Sequence, residues 1–522
     1  MNRNIKHFLL MILPVVSLTT SCKYVDILNP FRVDTYDHAY DDLEITTLES
    51  RYTDYSYKDI QTYSAYDGVG YCPSVGDAKF LVVPIWFTDS NTYIFNRNTV
   101  KQDIENAYFG NEESTGWESV STYYKKDSFN RLTITGTVLD WYECGDSSSA
   151  YYYNLSKTVS LVRKAAEYAS SYVNLDDYDA DKDGYIDGLV LIYAAPDYTH
   201  LNGYEENMWA YTYWRFVNPV EGATIANQFF WASYDFMYSQ GNDALIRTGK
   251  SNFGSGDTSH CNIDAHTFIH EAGHLFGLED YYDYSGKASP GLAFSMQDHN
   301  VGGHDPYSRL ALNWAKAYIP SETVKVKLRP IEESGEVIIL KNSRYTSSFN
   351  EYLVLEYYSP SGLNKFDVDY TYGGYIKGPN QEGIRLWHVD SRLVTNGSLF
   401  KKITSKPEDG EVMAATNNCS YQIGPKNRAV NYAGSYEYNM NEVIRNNYDM
   451  IDEHGLPIEN DDRDKNNLSN NDLFLEGDYF TTHNYREQFV NYDLLNSKRL
   501  LKWSFYIDKI DNGEATITLI KR

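Results

Sequence analysis

Residues 270–280 read HEAGHLFGLED, and their types and spacing set out a metal-assisted hydrolysis. His270 and His274 stand four apart, so on a helix both imidazoles project from one face and can grip a single zinc ion. Glu271, one step round the helix, is placed to take a proton from a water activated by that ion. Gly277 breaks the helical pattern and lets the chain reverse. Asp280 can then come round as a third ligand, at the usual zinc–oxygen separation of about 2.0–2.2 Å. Three protein ligands leave a fourth position for water, as a catalytic rather than a structural zinc requires.

The bland alternative is a pair of solvent-facing or internally satisfied histidines. The flanking pattern weighs against it. Asp264 is a candidate N-cap, and Ala265, Phe268, Ile269, Ala272, Leu275 and Phe276 supply the buried sides of a helix. Two histidines and a glutamate inside such a helix are costly to bury without a partner. The third ligand separates two arrangements. One takes a glutamate from a second helix downstream, but no glutamate occurs between Glu279 and Glu322. The other extends the motif and sets a tight methionine turn beneath the metal, and Asp280 with Met296 in FSMQDHN answers to it.

HEAGHLFGLEDYYD at 270–283, together with SMQDHNVGGHDPYSRLALNWAKAYIP at 295–320, resembles the immune inhibitor A family of secreted bacterial zinc metallopeptidases, which are metzincins. The resemblance runs from about residue 76 to about 390 and is most specific over 266–318. It implies zinc on His270, His274 and Asp280, Glu271 as general base, and Met296 as the structural methionine of the turn. Aspartate stands where many metzincins carry a third histidine, which fits this family. The implied reaction is water-mediated peptide hydrolysis without a covalent intermediate. His299, His304 and Tyr307, which follow the methionine turn, are candidate donors to the oxyanion, and each is equally readable as a structural residue.

A second cluster lies at 176–188, DDYDADKDGYIDG. Asp179, Asp181 and Asp183 alternate, Gly184 permits a sharp turn and Asp187 follows, like the front of an EF-hand loop. Val190 stands where the bidentate glutamate belongs. The expectation is therefore a structural calcium loop leading into a strand; the duller reading is an acidic surface turn. The family is known to bind calcium.

These sites need elements to hold them. The apolar run AKFLVVPIWF at 78–87 and GLVLIYAA at 188–195 read as buried strands, and LTITGTVLDWY at 132–142 as a strand or hairpin. Helical patterning covers 100–109, continues at 119–124, and returns over 155–173. Strands alternating with helices ahead of the motif predict an α+β fold: a metzincin-like catalytic domain at 76–320 with a mixed sheet and a zinc-binding helix. From 321 to 522 short β-type runs dominate, so a β-rich, sandwich-like region follows, with polar loops or an insertion around 417–472. Residues 23–75, rich in Tyr, Asp, Thr and Ser, read as a linker or short pro-segment.

With 46 Lys+Arg against 72 Asp+Glu the formal charge is -26, so there is no basic surplus for nucleic acid. Residues 1–22 form a lipoprotein-type signal: Arg3 and Lys6, an apolar run at 8–18, then Cys22 as the lipidation site. Thr19 stands where an aliphatic residue is usual, which leaves plain cleavage and secretion as the alternative. Either way the chain is expected to be exported, to a membrane surface through Cys22 or beyond it, and to meet protein or peptide substrates. Oligomeric state is not legible. Cys72, Cys144, Cys261 and Cys419 form no CxxC pair, and two disulfides, one or none are compatible with their spacing. Cys72 in YCPSVGD is a faint echo of a latency switch, in which a thiolate caps the zinc. The 49 tyrosines support a second reading, a surface lipoprotein that binds glycan or protein ligands with little or no peptidase activity; tyrosine also fills cores.

Overall fold

The computed structural model describes residues 33–48, 71–115, 117–197, 207–239, 263–278, 295–298, 300–342, 351–369, 377–390, 442–444, 470, 473–486, 489, 493–495 and 497–522. The signal segment, Cys22, Cys261 and Cys419 lie outside them. Among the described residues the fold is mixed α+β, with three sheets and few helices. Among the described residues no helix is long and apolar enough to cross a membrane.

The first sheet runs in the order Leu132–Val138, Gly76–Trp86, Gly188–Tyr193, Gln228–Ser233, Tyr211–Trp214. All neighbours are parallel except Tyr211–Trp214, which lies antiparallel at the edge. The stretch 132–142 is no hairpin: Leu132–Val138 and Tyr142–Glu143 both pair in parallel with Gly76–Trp86. Alternation reports which face a strand buries and says nothing of its partner. The central strands are apolar along their length because helices cover both faces. Leu81, Val83, Ile85, Leu189 and Leu191 pack with Leu161, Val162 and Ala165 of the helix Leu155–Ala169. Phe80, Val82, Val190, Ile192 and Phe230 pack on the other side with Phe268, Ile269, Ala272 and Leu275 of the motif helix, His266–Leu275. The helices Arg97–Phe109 and Val120–Asp127 complete that layer. Each begins on its own cap, Asn96 accepting from the Thr99 amide and Ser119 forming a capping box with Thr122.

Two five-stranded sheets make up the rest. One runs Glu442–Ile444, Gly383–Asp390, Glu351–Tyr358, Glu336–Lys341, Lys316–Tyr318; the other Ile45–Thr46, Val324–Leu328, Glu514–Lys521, Trp503–Asp511, Tyr479–Phe480. Val326, Leu328, Ile517, Leu519 and Phe505 of the second share a core with Ile338, Leu340, Leu353, Leu355 and Leu386 of the first. The opposite face of the first sheet, through Val337, Ile339, Val354 and Trp387, belongs to the same core as the motif helix. That sheet is therefore buried on both sides, which is why EVIILK and YLVLEYY are continuous rather than alternating.

Three details bear on the expected division of the chain. Lys316–Tyr318, on the catalytic side of the boundary at 320, pairs with Glu336–Lys341. Within 23–75, Ile45–Thr46 pairs with Val324–Leu328, Leu48 is buried, and Asp34 meets Arg522 at 2.8 Å. Glu442–Ile444 adds a strand inside the region read as polar loops. Tyr108, Tyr123, Tyr124, Tyr151 and Tyr185 are among the largest fully buried side chains, so much of the tyrosine excess fills cores.

Candidate metal centre

The motif helix is built as its apolar pattern requires, but it starts one residue later than the sequence suggests. Ala265 occupies the N-cap position, and the Asp264 carboxylate reaches past it to accept the His266 amide at 2.9 Å. That bond, from a carboxylate to the amide two residues on, is an Asx-type turn that satisfies the first amide of the helix. The helix ends as Gly277 takes φ +89°, with the Leu278 amide donating to the Gly273 carbonyl at 3.0 Å and the Gly277 amide to that of His274 at 3.0 Å. The reversal predicted at Gly277 is thus in place. Asp280 and His299 lie outside the described residues.

His270 donates through Nδ1 to the Met296 carbonyl at 2.7 Å, and His274 through Nδ1 to the Leu278 carbonyl at 2.8 Å. A carbonyl can only accept, so each Nδ1 carries the hydrogen and the lone pair sits on Nε2. The rings are 5.1 Å apart, and the donor atoms of His270, Glu271 and His274 all lie within 4.8 Å of one another. Glu271 is 7% exposed, which puts its carboxylate in a site that largely excludes solvent. These residues fit a zinc ion: two imidazoles oriented by backbone acceptors, with a carboxylate alongside.

Met296 is fully buried, in the turn that the Asp298 amide closes onto the Ser295 carbonyl. Its contribution to the site is its backbone oxygen, which fixes His270. Gln297 lies directly against the helix: a Cβ on Gly273 would come within 2.3 Å of its Oε1, so a larger residue there would have to displace the amide end of Gln297.

Two residues read as candidate oxyanion donors are core residues instead. The His304 side chain is wholly buried, Nδ1 facing Asp127 Oδ2 at 2.7 Å and Nε2 facing Gln297 Oε1 at 3.2 Å. Tyr307, on the helix Pro306–Ala311, is 1% exposed. Neither is presented to a substrate. The sequence suggested them because they follow the methionine turn; burial of that turn is what removes them from solvent.

Several contributors were not legible. Thr212, on the edge strand, donates through Oγ1 to the Glu271 carbonyl at 3.1 Å, with Glu271 Oε2 at 3.5 Å. Gln228 Nε2 donates to the His274 carbonyl at 3.0 Å. Asp127 is buried against His304 and Arg309, which follow the turn. Its burial favours the neutral form, yet Arg309 and His304 beside it hold its carboxyl down at about 2. Arg309 Nη2 reaches Asp127 Oδ1 and Glu332 Oε1, both at 2.6 Å. The lone signal for this network was a charged residue, Arg309, within an apolar helix.

In the acidic loop the structure brings Asp179, Asp181 and Asp187 together, with one oxygen from each within 4.8 Å of the others. Asp183 turns to its own backbone, accepting the Tyr185 amide at 2.9 Å. Gly184 takes φ +89° and Lys182 φ +62° to make the turn. Burial, with Asp181, Asp179 and Asp183 nearby, pushes the Asp187 carboxyl up to about 8, although the Ala180 amide opposes this.

Cys72 is buried in the core, and burial pushes its thiol up, away from the thiolate a latency switch needs. Its sulfur is not grouped with the histidine donors. Cys72 and Cys144 are free thiols.

No family model and no curated protein matches the chain.

Proposed function

We propose that the chain is a zinc-dependent endopeptidase of the immune inhibitor A, metzincin type, acting on extracellular proteins or peptides from an exported position anchored through Cys22. The observation that carries this reading is the pair of Nδ1–carbonyl bonds that aim His270 and His274 while Glu271 stands within 4.8 Å of both. Ornamental histidines have no need of such orientation; metal-ligating ones almost always have it. Asp280 would complete the ligand set after the reversal at Gly277.

Bound there, a zinc ion would acidify a water and polarise the scissile carbonyl. Glu271 acts as the base that accepts the water's proton and delivers it to the leaving amine. Thr212 restrains the residue that carries this carboxylate. The same strand, Tyr211–Trp214, lies at the sheet edge, so an extended peptide added alongside it would pass Glu271 with its backbone hydrogen bonds satisfied. The layered first sheet is consistent with a metzincin-like catalytic domain, and the shared core of the other two sheets with a C-terminal sandwich. The oriented, half-buried histidines beside a buried Glu271 favour this reading over a glycan- or protein-binding lipoprotein. Asp179, Asp181 and Asp187, with Asp183, are proposed to hold a structural calcium ion.

Metal analysis of the dialysed protein tests the central part. We expect one zinc per chain in the wild type and its loss in His270→Ala and His274→Ala. Zinc bound equally well without both imidazoles would sink the assignment.

A further inference from the structure

The C-terminal region reaches the chain that follows the methionine turn through a buried carboxylate. Asp367 lies on the short helix Asn364–Asp369, between two strands of the doubly buried sheet, and is 6% exposed. Its Oδ1 accepts the Val301 amide at 2.7 Å and the Gly302 amide at 3.0 Å, and its Oδ2 accepts Asn300 Nδ2 at 3.3 Å. The peptide it holds is the one that leaves the methionine turn. The Asn300 carbonyl, next to the two gripped amides, faces His266 Nε2 at 2.8 Å, on the first turn of the motif helix. Four residues back along the same peptide, the Met296 carbonyl orients His270. Tyr123 adds a hydroxyl bond to the Gly302 carbonyl at 2.8 Å. One strap of chain is therefore fixed by Asp367 on one side and by two motif-helix histidines on the other.

The fit is tight. A Cβ on Gly302 would sit 2.1 Å from Asp367 Oδ2. Burial pushes the Asp367 carboxyl up to about 7, while the Val301 and Gly302 amides pull it down. Keeping a carboxyl in so dry a place is costly, and its hydrogen bonds go largely to that one peptide.

We infer that Asp367 is a positioning residue of the metal centre, and that the β-rich region is a working part of the catalytic site rather than an appended module. The inference rests on the zinc reading above. A bound metal would feel Asp367 at two removes: Asp367 sets the strap, the strap's Met296 carbonyl sets the His270 ring, and the ring sets Nε2. Partners one step outside the ligands commonly change metal affinity by about 10–100-fold when lost.

The test measures zinc affinity of the full chain by chelator competition, together with the rise in melting temperature that zinc produces over the metal-stripped form. Asp367→Ala, one step further out than such a partner, should weaken zinc binding by up to about 10-fold and shrink the zinc-dependent rise. Gly302→Ala presses on the same contact from the other side and should do the same. Asp367→Asn keeps an acceptor for the two amides and should recover most of the affinity. A purely structural residue would lower both melting temperatures together and leave their difference intact. If Asp367→Ala does not fold, Gly302→Ala and Asp367→Asn carry the comparison. Wild-type affinity in folded Asp367→Ala or in Gly302→Ala overturns the inference, whereas a wild-type protein that binds no zinc overturns the zinc reading itself.

Discussion

Arg309→Met removes a cation that the buried Asp127 and Glu332 both contact, and its cost can be worked from their surroundings. The side chains of Arg309, Asp127 and Glu332 are 1%, 0% and 4% exposed. Solvent therefore cannot take over when the guanidinium goes. Methionine keeps much of the volume but takes the guanidinium from two buried carboxylates, leaving Asp127 with His304 alone, a loss of about 3–5 kcal/mol. Against a total stability of about 5–15 kcal/mol this is severe. The pH dependence has a definite sign. The Asp127 carboxyl lies below its ordinary 3.8, at about 2, so the stability it contributes is present above pH about 4 and lost as pH falls toward 2. At about 1.36 kcal/mol per pKa unit that contribution is about 2 kcal/mol. Without Arg309, burial pushes the carboxyl up against His304 alone, and the variant relieves itself by taking a proton earlier. Urea unfolding followed by tryptophan fluorescence should show a gap of about 3–5 kcal/mol at pH 7, narrowing by about 1–2 kcal/mol at pH 3. A gap below about 1 kcal/mol at pH 7, or one that ignores pH, would refute the reasoning.

Two further outcomes are expected. Asp103→Asn should stabilise the protein at neutral pH. Burial pushes the Asp103 carboxyl up from 3.8 to about 6 against its hydrogen bond from Tyr238, so ionisation costs stability as pH rises through that window. The gain at pH 7.5 is at most about 3 kcal/mol, reduced by the water that reaches the group, and vanishes near pH 4; equal stability of the two proteins at pH 7.5 contradicts it. Calcium should raise the melting temperature of the wild type and not that of Asp181→Asn combined with Asp187→Asn, read by calorimetry with and without chelator. An identical calcium response in both would remove the ion from that loop.

What was legible in the sequence was chemistry carried by neighbours in the chain. The histidine spacing, the reversal at Gly277 and the α+β alternation all follow from local rules, and the structure places them as expected. What was hidden is non-local. Nothing near Asp127 or Asp367 announces that one meets His304 and Arg309 and the other Asn300, Val301 and Gly302, because those contacts are made across the packed core. The central strands of two sheets were recognisable as buried, yet their parallel pairing was not. The same blindness made His304 and Tyr307 look like donors: position after a motif is visible in a sequence, and burial of the turn is not. Asp264 shows the finer limit, since a capping carboxylate was recognised but the residue occupying the cap was its neighbour.

The most direct test of the central claim is cleavage of an unfolded protein such as reduced casein by zinc-loaded wild type and zinc-loaded Glu271→Gln, with zinc content measured on the same samples. The wild type should cleave, and lose cleavage on chelation. Glu271→Gln should retain one zinc per chain and lose activity by at least about 100-fold, since it keeps the shape of the side chain and removes its basicity. Cleavage by the glutamine variant at the wild-type rate, or none by a wild type that holds its zinc, would contradict the assignment.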